Sequence, residues 1–278
     1  MKAHPPTQRI AFPLDAEVLQ KQKTPIHTLL NPLLNLSENS DYLIAGSVGE
    51  FEAGDGIFQI PRFIFMGPGG GGDTLRLGIF AGIQGDQPEG SQALVEFLQE
   101  LELRPQIASG YHLYIYPICN PTGFVTQTRR NFAGEDLTKH FWQGSSQPEI
   151  YYLEREIGVL HFQGVISVQT QKDFENFAVD VSNSAILAGA LVQPAVQATR
   201  RFLSGSSSKA DTGSIGTAPV FSQRDFLTTG RELDPVPFEL HLSIPGQVPK
   251  PSQIHGTVNA LKSILDSYRS LLSIGQNI

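Results

Sequence analysis

The stretch Leu77-Gly-Ile-Phe-Ala-Gly-Ile-Gln84-Gly-Asp86-Gln87-Pro-Glu89-Gly90 restricts what this chain can fold into more than any other. Residues 77–83 form an apolar run with the length of a buried strand, and the run stops at glycine. Proline at 88 and the small residues that follow it open a helix. A buried strand, a tight turn and a helix in immediate succession are the signature of an α/β sheet. The turn lies at the C-terminal edge of that sheet, where α/β proteins keep their sites.

The rest of the sequence repeats this alternation. Residues 42–48 and 57–66 read as strands, the second rich in aromatic and β-branched side chains. Gly67-Pro-Gly-Gly-Gly-Gly72-Asp73 has no lysine and runs into a strand rather than a helix, so it reads as a hairpin connection and not as a phosphate loop. Ala93, Leu94, Phe97, Leu98 and Leu101 recur at helical spacing over 91–101. Residues 111–118 form the next strand and end at Asn120-Pro-Thr-Gly123, which has the chemistry of a turn. Residues 124–148 carry no period and read as a long ordered loop. A helix follows from Pro148, with Ile150, Leu153, Ile157 and Leu160 on one stripe. Then come a strand over 164–170, a helix over 185–203 kinked near Pro194, and an exposed Ser/Gly-rich loop over 204–217. A strand over 236–244 and a helix capped by Ser252 complete the chain. Before residue 40 the pattern is mixed: 15–22 can start a short helix, and 26–36 is apolar but broken by Pro32. The expected organisation is a leader over 1–40 packed on a single α/β domain over 41–278, with a central, mixed, mostly parallel sheet flanked by helices.

Composition excludes several classes. A net charge of −7 argues against nucleic acid or an anionic membrane as partner, since both require a basic face. The single cysteine, Cys119, leaves no disulfide framework and no cysteine-based zinc cluster. No apolar run approaches the ~20 residues of a membrane span, and the N-terminus has no signal-peptide core, so the expected location is the cytoplasm. Oligomeric state has no sequence signal.

A series of motifs, in order, resembles those of the M14 zinc carboxypeptidases and their succinylglutamate desuccinylase/aspartoacylase relatives, and the resemblance covers most of residues 42–272. The turn at 84–90 resembles the family's His-Gly-Asp-Glu-Pro-Glu-Gly, with Gln84 and Gln87 at the two zinc-ligand positions. Ile118-Cys119-Asn120-Pro121-Thr122-Gly123-Phe124 resembles the Asn-Pro-Asp-Gly-Phe turn. Arg129-Arg130-Asn131 and Gly134-Glu135-Asp136-Leu137-Thr138-Lys139 resemble Arg-x-Asn and Gly-x-Asp-Leu-Asn-Arg. The strand 165–170 resembles the one bearing the third ligand, and that position is Gln169. Phe238-Glu239-Leu240 resembles the Phe-Glu-Leu strand, which makes Glu239 the general-base position. An alternative register puts His241 there, and alternate residues share a strand face.

The resemblance implies the zinc-carboxypeptidase fold, a substrate carbonyl polarised by Arg129, and carboxylate recognition re-shaped at Thr138 and Lys139, with Asn120 beside it. Lysine attracts a carboxylate as a point charge and lacks the planar fork of arginine. Zinc is the family's cofactor, but three glutamines offer neutral amide oxygens in place of imidazole and carboxylate. Without the metal a glutamate faces ordinary water, far harder to deprotonate than zinc-bound water of pKa ~7. The sequence therefore predicts a pseudoenzyme with no cofactor and a polar pocket. Arg129 and Lys139 stand in it against Glu239, a mildly positive interior suited to a small carboxylate-bearing or peptide-like ligand. Two alternatives remain. One is an active hydrolase with a displaced or non-zinc metal, held by Asp86, Glu89, Asp173 and Glu239 as hard oxygen ligands. The other is a scaffold protein whose pocket is a self-satisfied polar network.

Overall fold

Seven strands and six α-helices alternate along the described chain. The strands are β1 (Leu43–Ala53), β2 (Gly56–Met66), β3 (Leu75–Phe80), β4 (Tyr111–Tyr116), β5 (Gly164–Gln171), β6 (Ala178–Ser182) and β7 (Phe238–Pro245). The helices are α1 (Pro25–Ser37), α2 (Pro88–Leu103), α3 (Pro121–Thr126), α4 (Pro148–Leu160), α5 (Ala185–Thr199) and α6 (Lys250–Gln276). This computed structural model describes residues 14, 25–70, 73–182, 184–203, 233 and 236–276. The expected helix over 15–22 and the expected loop over 204–217 lie outside the described residues.

All seven strands form one sheet in the order β1-β2-β4-β3-β5-β7-β6. The four central strands β4, β3, β5 and β7 run parallel. Antiparallel pairings bring in β2, β1 and β6 at the margins. Parallel strands are covered on both faces; β3 from Leu77 onward is accordingly apolar, whereas β7 alternates Phe238, Leu240, Leu242 and Ile244 with the polar Glu239, His241 and Ser243. Here one face carries α1, α2, α5 and α6, through Leu30, Leu94, Leu98, Leu191, Leu261 and Ile264 among others. The other carries α4 through Ile150, Leu153 and Ile157. A single α/β domain with a mixed, parallel-centred sheet flanked by helices is therefore the architecture.

Local structure departs from the sequence reading in five places. Pro32 does not break α1: the helix runs through it, with Ile26, Leu30 and Leu33 fully buried. Burial of that face offsets the backbone hydrogen bond that proline forfeits. The connection at 67–73 is not a hairpin, because β2 pairs with β4 rather than with β3; the hairpin lies earlier, between β1 and β2. The segment 120–123 is not a free turn but the start of α3, with the Asn120 side chain accepting from the Gly123 amide. Residues 178–182 add β6, an edge strand. Finally, α6 begins at Lys250, ahead of Ser252.

Candidate functional site

The parallel strands place the exits of β3, β4 and β5 at one edge of the sheet, and three segments meet there. The first is the turn from β3 into α2. Gly82 takes φ +65°, and at Gly85 a Cβ would stand 2.0 Å from the Gly123 carbonyl carbon, so only glycine lets this turn lie against α3. Asn120 locks the same contact from below, its Nδ2 donating to the Ile83 carbonyl at 3.1 Å. The second is the loop that carries Arg129, and the third is the chain leaving β5.

These segments enclose a pocket of about 220 Å³. Gln84, Asp86 and Gln87 line it from the turn, Arg129 and Thr138 from the loop, and residues 169–173 from the end of β5. The structure thus brings together Gln84, Gln87 and Gln169 despite their separation in sequence, with Arg129 and Thr138 beside them. Lys139 does not line the pocket and is exposed. Asn120 is fully buried and spends its side chain on Ile83 and Gly123 rather than on the cavity.

Glu239 stands elsewhere. It pairs with Val165 across β5 and β7, while Gln169 pairs with Ser243. Four residues of strand separate the two levels, roughly 13 Å at ~3.3 Å per residue. His241 is level with Ser167, whose hydroxyl meets its Nδ1, so neither register puts a base at the pocket. Burial holds the His241 imidazole below its ordinary pKa, partly offset by Asp180. The charge pattern changes accordingly. Lys172, which sequence reasoning missed, lines the pocket and pairs with Asp86 at 2.9 Å. With Asp173 also in the lining, two cations face two carboxylates, and the lining is balanced rather than positive. The one signal for Lys172 was its place just past a strand end, at the edge where sites form.

Hydrogen bonds set the shape of the pocket. Gln87 Oε1 accepts from the Thr170 amide at 3.1 Å. Beyond Ser167, β5 has no partner on β3, so the glutamine takes the place of a missing strand neighbour. Arg129 Nε donates to Asp136 at 3.0 Å, and Thr138 Oγ1 donates to the same carboxylate at 2.7 Å. Burial alone would raise the Asp136 pKa, but the bonds from Thr138 and Arg129 outweigh it and hold it low. Asn131, next along, donates to Gln147 and Glu149. Burial pushes the Glu149 carboxyl above its ordinary pKa, against those bonds. Cys119 is fully buried and burial pushes its thiol far up, so it is no nucleophile.

The four carboxylates considered as hard-cation ligands do not converge. Asp86 and Asp173 line the pocket. Glu89 bonds Lys250 at 3.1 Å beside a larger cavity under α1, and Glu239 lies down the sheet. Among the described residues no three His, Cys, Asp or Glu side chains form a metal-ion site.

Comparison with known proteins places the fold. No protein-family model matches the chain, and no curated protein matches its sequence. Solved structures do. A structure from Shewanella amazonensis assigned as a metallopeptidase superposes with TM-score 0.64 at 19% identity, covering 87% of this chain and 92% of that one. A metallo-carboxypeptidase from Burkholderia cenocepacia gives 0.66 at 13%, covering 93% and 70%. The metallo-carboxypeptidase from Pseudomonas aeruginosa, in complex with (2-guanidinoethylmercapto)succinic acid, gives 0.57 at 15%, covering 91% and 69%. The chain has the carboxypeptidase-like fold.

Proposed function

We propose that this protein is a metallocarboxypeptidase-fold pseudoenzyme whose pocket binds a small ligand bearing a carboxylate and an N–H donor, such as an N-acylated amino acid or a short peptide. The observation that carries the reading is the convergence of Gln84, Gln87 and Gln169 in one cavity with Arg129. In the family resembled, these three positions hold zinc. Here the donor set does not fit that ion. Amide oxygens are neutral and weak zinc donors, and the oxygen of Gln87 is already engaged by the Thr170 amide. No metal-bound water can be derived from these residues, and neither Glu239 nor His241, the two candidates for the general base, lines the pocket. What remains is recognition. The Arg129 guanidinium uses Nε on Asp136 and keeps its Nη groups for a carboxylate. Asp86 keeps Oδ1 without a partner among the described residues, an acceptor for a ligand N–H. A volume of about 220 Å³ suits an amino-acid-sized molecule and lies below the ~300–1,000 Å³ of drug-sized sites.

Calorimetric titration with a series of N-acetylated amino acids and with the same compounds as C-terminal amides tests this. The free acids bind and the amides do not. Arg129→Ala weakens binding about tenfold or more, as loss of a charge-assisted hydrogen bond requires. Equal binding of acid and amide, or binding that survives Arg129→Ala, sinks the proposal and favours a scaffold with a filled pocket.

A further inference from the structure

The position that holds a cation in the resembled family has three neutral side chains here, and each bears both an acceptor and two donors. Which end faces the cavity decides what the site can hold. For Gln87 the backbone settles it: Oε1 accepts from the Thr170 amide, which leaves the Nε2 group as the polar end not so engaged. Gln169 Nε2 is shielded from solvent and has no hydrogen-bond partner among the described residues. Gln84 is only 7% exposed and lines the same cavity, and among the described residues its amide makes no side-chain hydrogen bond, so it can turn its N–H groups inward. Arg129, in the same lining, adds guanidinium N–H groups from the loop.

We infer that Gln84, Gln87 and Gln169 form an anion cradle, in which amide N–H groups converge on an oxygen of the ligand's carboxylate at the place where the resembled family binds a metal cation. The polarity of the position is thereby reversed. A buried N–H without a partner is the kind of group that an anionic oxygen satisfies best, because such bonds are charge-assisted and the site is partly shielded from water. The carboxylates in the lining do not oppose this. Asp86 is paired with Lys172, and Asp173 is exposed at the rim. The inference rests on the carboxylate reading above and adds to it where the carboxylate sits and which groups hold it.

The test follows the melting temperature of the full chain in sodium acetate, N-acetylglycine and sodium chloride at matched ionic strength, and in zinc chloride. The wild type is stabilised by both carboxylates well beyond chloride and is not stabilised by zinc. Gln84→Met, close in size but without donors, and Gln169→Glu, which places a negative charge in the cradle, each reduce the acetate affinity at least tenfold. Circular dichroism checks that both variants are folded. Carboxylate stabilisation that is undiminished in both overturns the cradle and leaves the carboxylate reading standing. No carboxylate response in the wild type removes that reading and the cradle with it. Stoichiometric zinc binding that is lost in Gln84→Met shows the opposite polarity and also overturns the inference. Crystals grown in sodium bromide give a measurement independent of any variant. An anomalous peak between residues 84, 87 and 169 is expected, and strong peaks elsewhere with none at this point count against the cradle.

Discussion

Replacing Gln87 with alanine isolates the hydrogen bond that ties the turn after β3 to the end of β5. The bond runs from the Thr170 amide to Gln87 Oε1 at 3.1 Å, and Thr170 is 7% exposed. On that side β5 has outrun its neighbour, since the β3 pairing stops at Ser167, so no strand carbonyl can take over the amide. Alanine leaves a buried donor unsatisfied, which costs about 1–3 kcal/mol. For a domain of this size each kcal/mol shifts the melting temperature by about 2–4 °C, so Gln87→Ala should melt roughly 2–12 °C below the wild type. Gln87→Glu keeps an oxygen acceptor and should retain most of the stability, whereas Gln171→Ala, at the same strand end, should change little. Thermal unfolding by circular dichroism, with urea titration for the free energy, reads all three. A Gln87→Ala protein that melts within half a degree of wild type refutes the claim that this side chain stands in for a strand neighbour.

Two further outcomes follow from buried charges away from the pocket. Arg62 Nη1 and the Tyr116 hydroxyl both donate to Glu156 Oε2, at 2.7 and 2.8 Å, with the ion pair almost wholly buried. Glu156→Leu takes this carboxylate away from the buried guanidinium and should cost about 3–5 kcal/mol, while adding Arg62→Met should restore part of the loss; additive losses in urea titrations would refute the pairing account. Glu149 titrates above its ordinary value because it is buried. A raised carboxyl favours the native state below the unfolded pKa of about 4.5 and loses that contribution as pH climbs through the folded value. Glu149→Gln should therefore be more stable relative to wild type at pH 8 than at pH 4, and a parallel pH profile for the two proteins would contradict the shift.

Much of the fold was readable because the central strands carry dense apolar content, continuous in β3 and alternating in β7, and because helical stripes lie between most of them. What was not readable depended on tertiary pairing. Pro32 is a helix breaker by local rules, and only the buried face of α1 keeps it helical. Asn120-Pro-Thr-Gly123 carries the same residues whether it turns once or starts a helix. β6 is short, at an edge and half polar, so it has no run to detect. In the site, the glutamines could be located because a strand end and a glycine turn define their level. Glu239 could not, since three residues of a motif do not fix how far a strand slides past its neighbour, and the register puts Ser243 opposite Gln169 instead.

The order of the strands also determines when the pocket can exist during folding. Gly164 of β5 meets Phe238 of β7, and Leu77 of β3 meets Gly164, so the centre of the sheet closes only after long stretches of chain have been brought together. Such non-local pairings form late and slowly. The turn, the Arg129 loop and the end of β5 reach one another only when that closure is complete. A ligand at this place has nothing to bind in a half-formed chain and acts on global unfolding alone. Saturation at a hundredfold over its dissociation constant would then add about 2.7 kcal/mol to the stability of the whole domain.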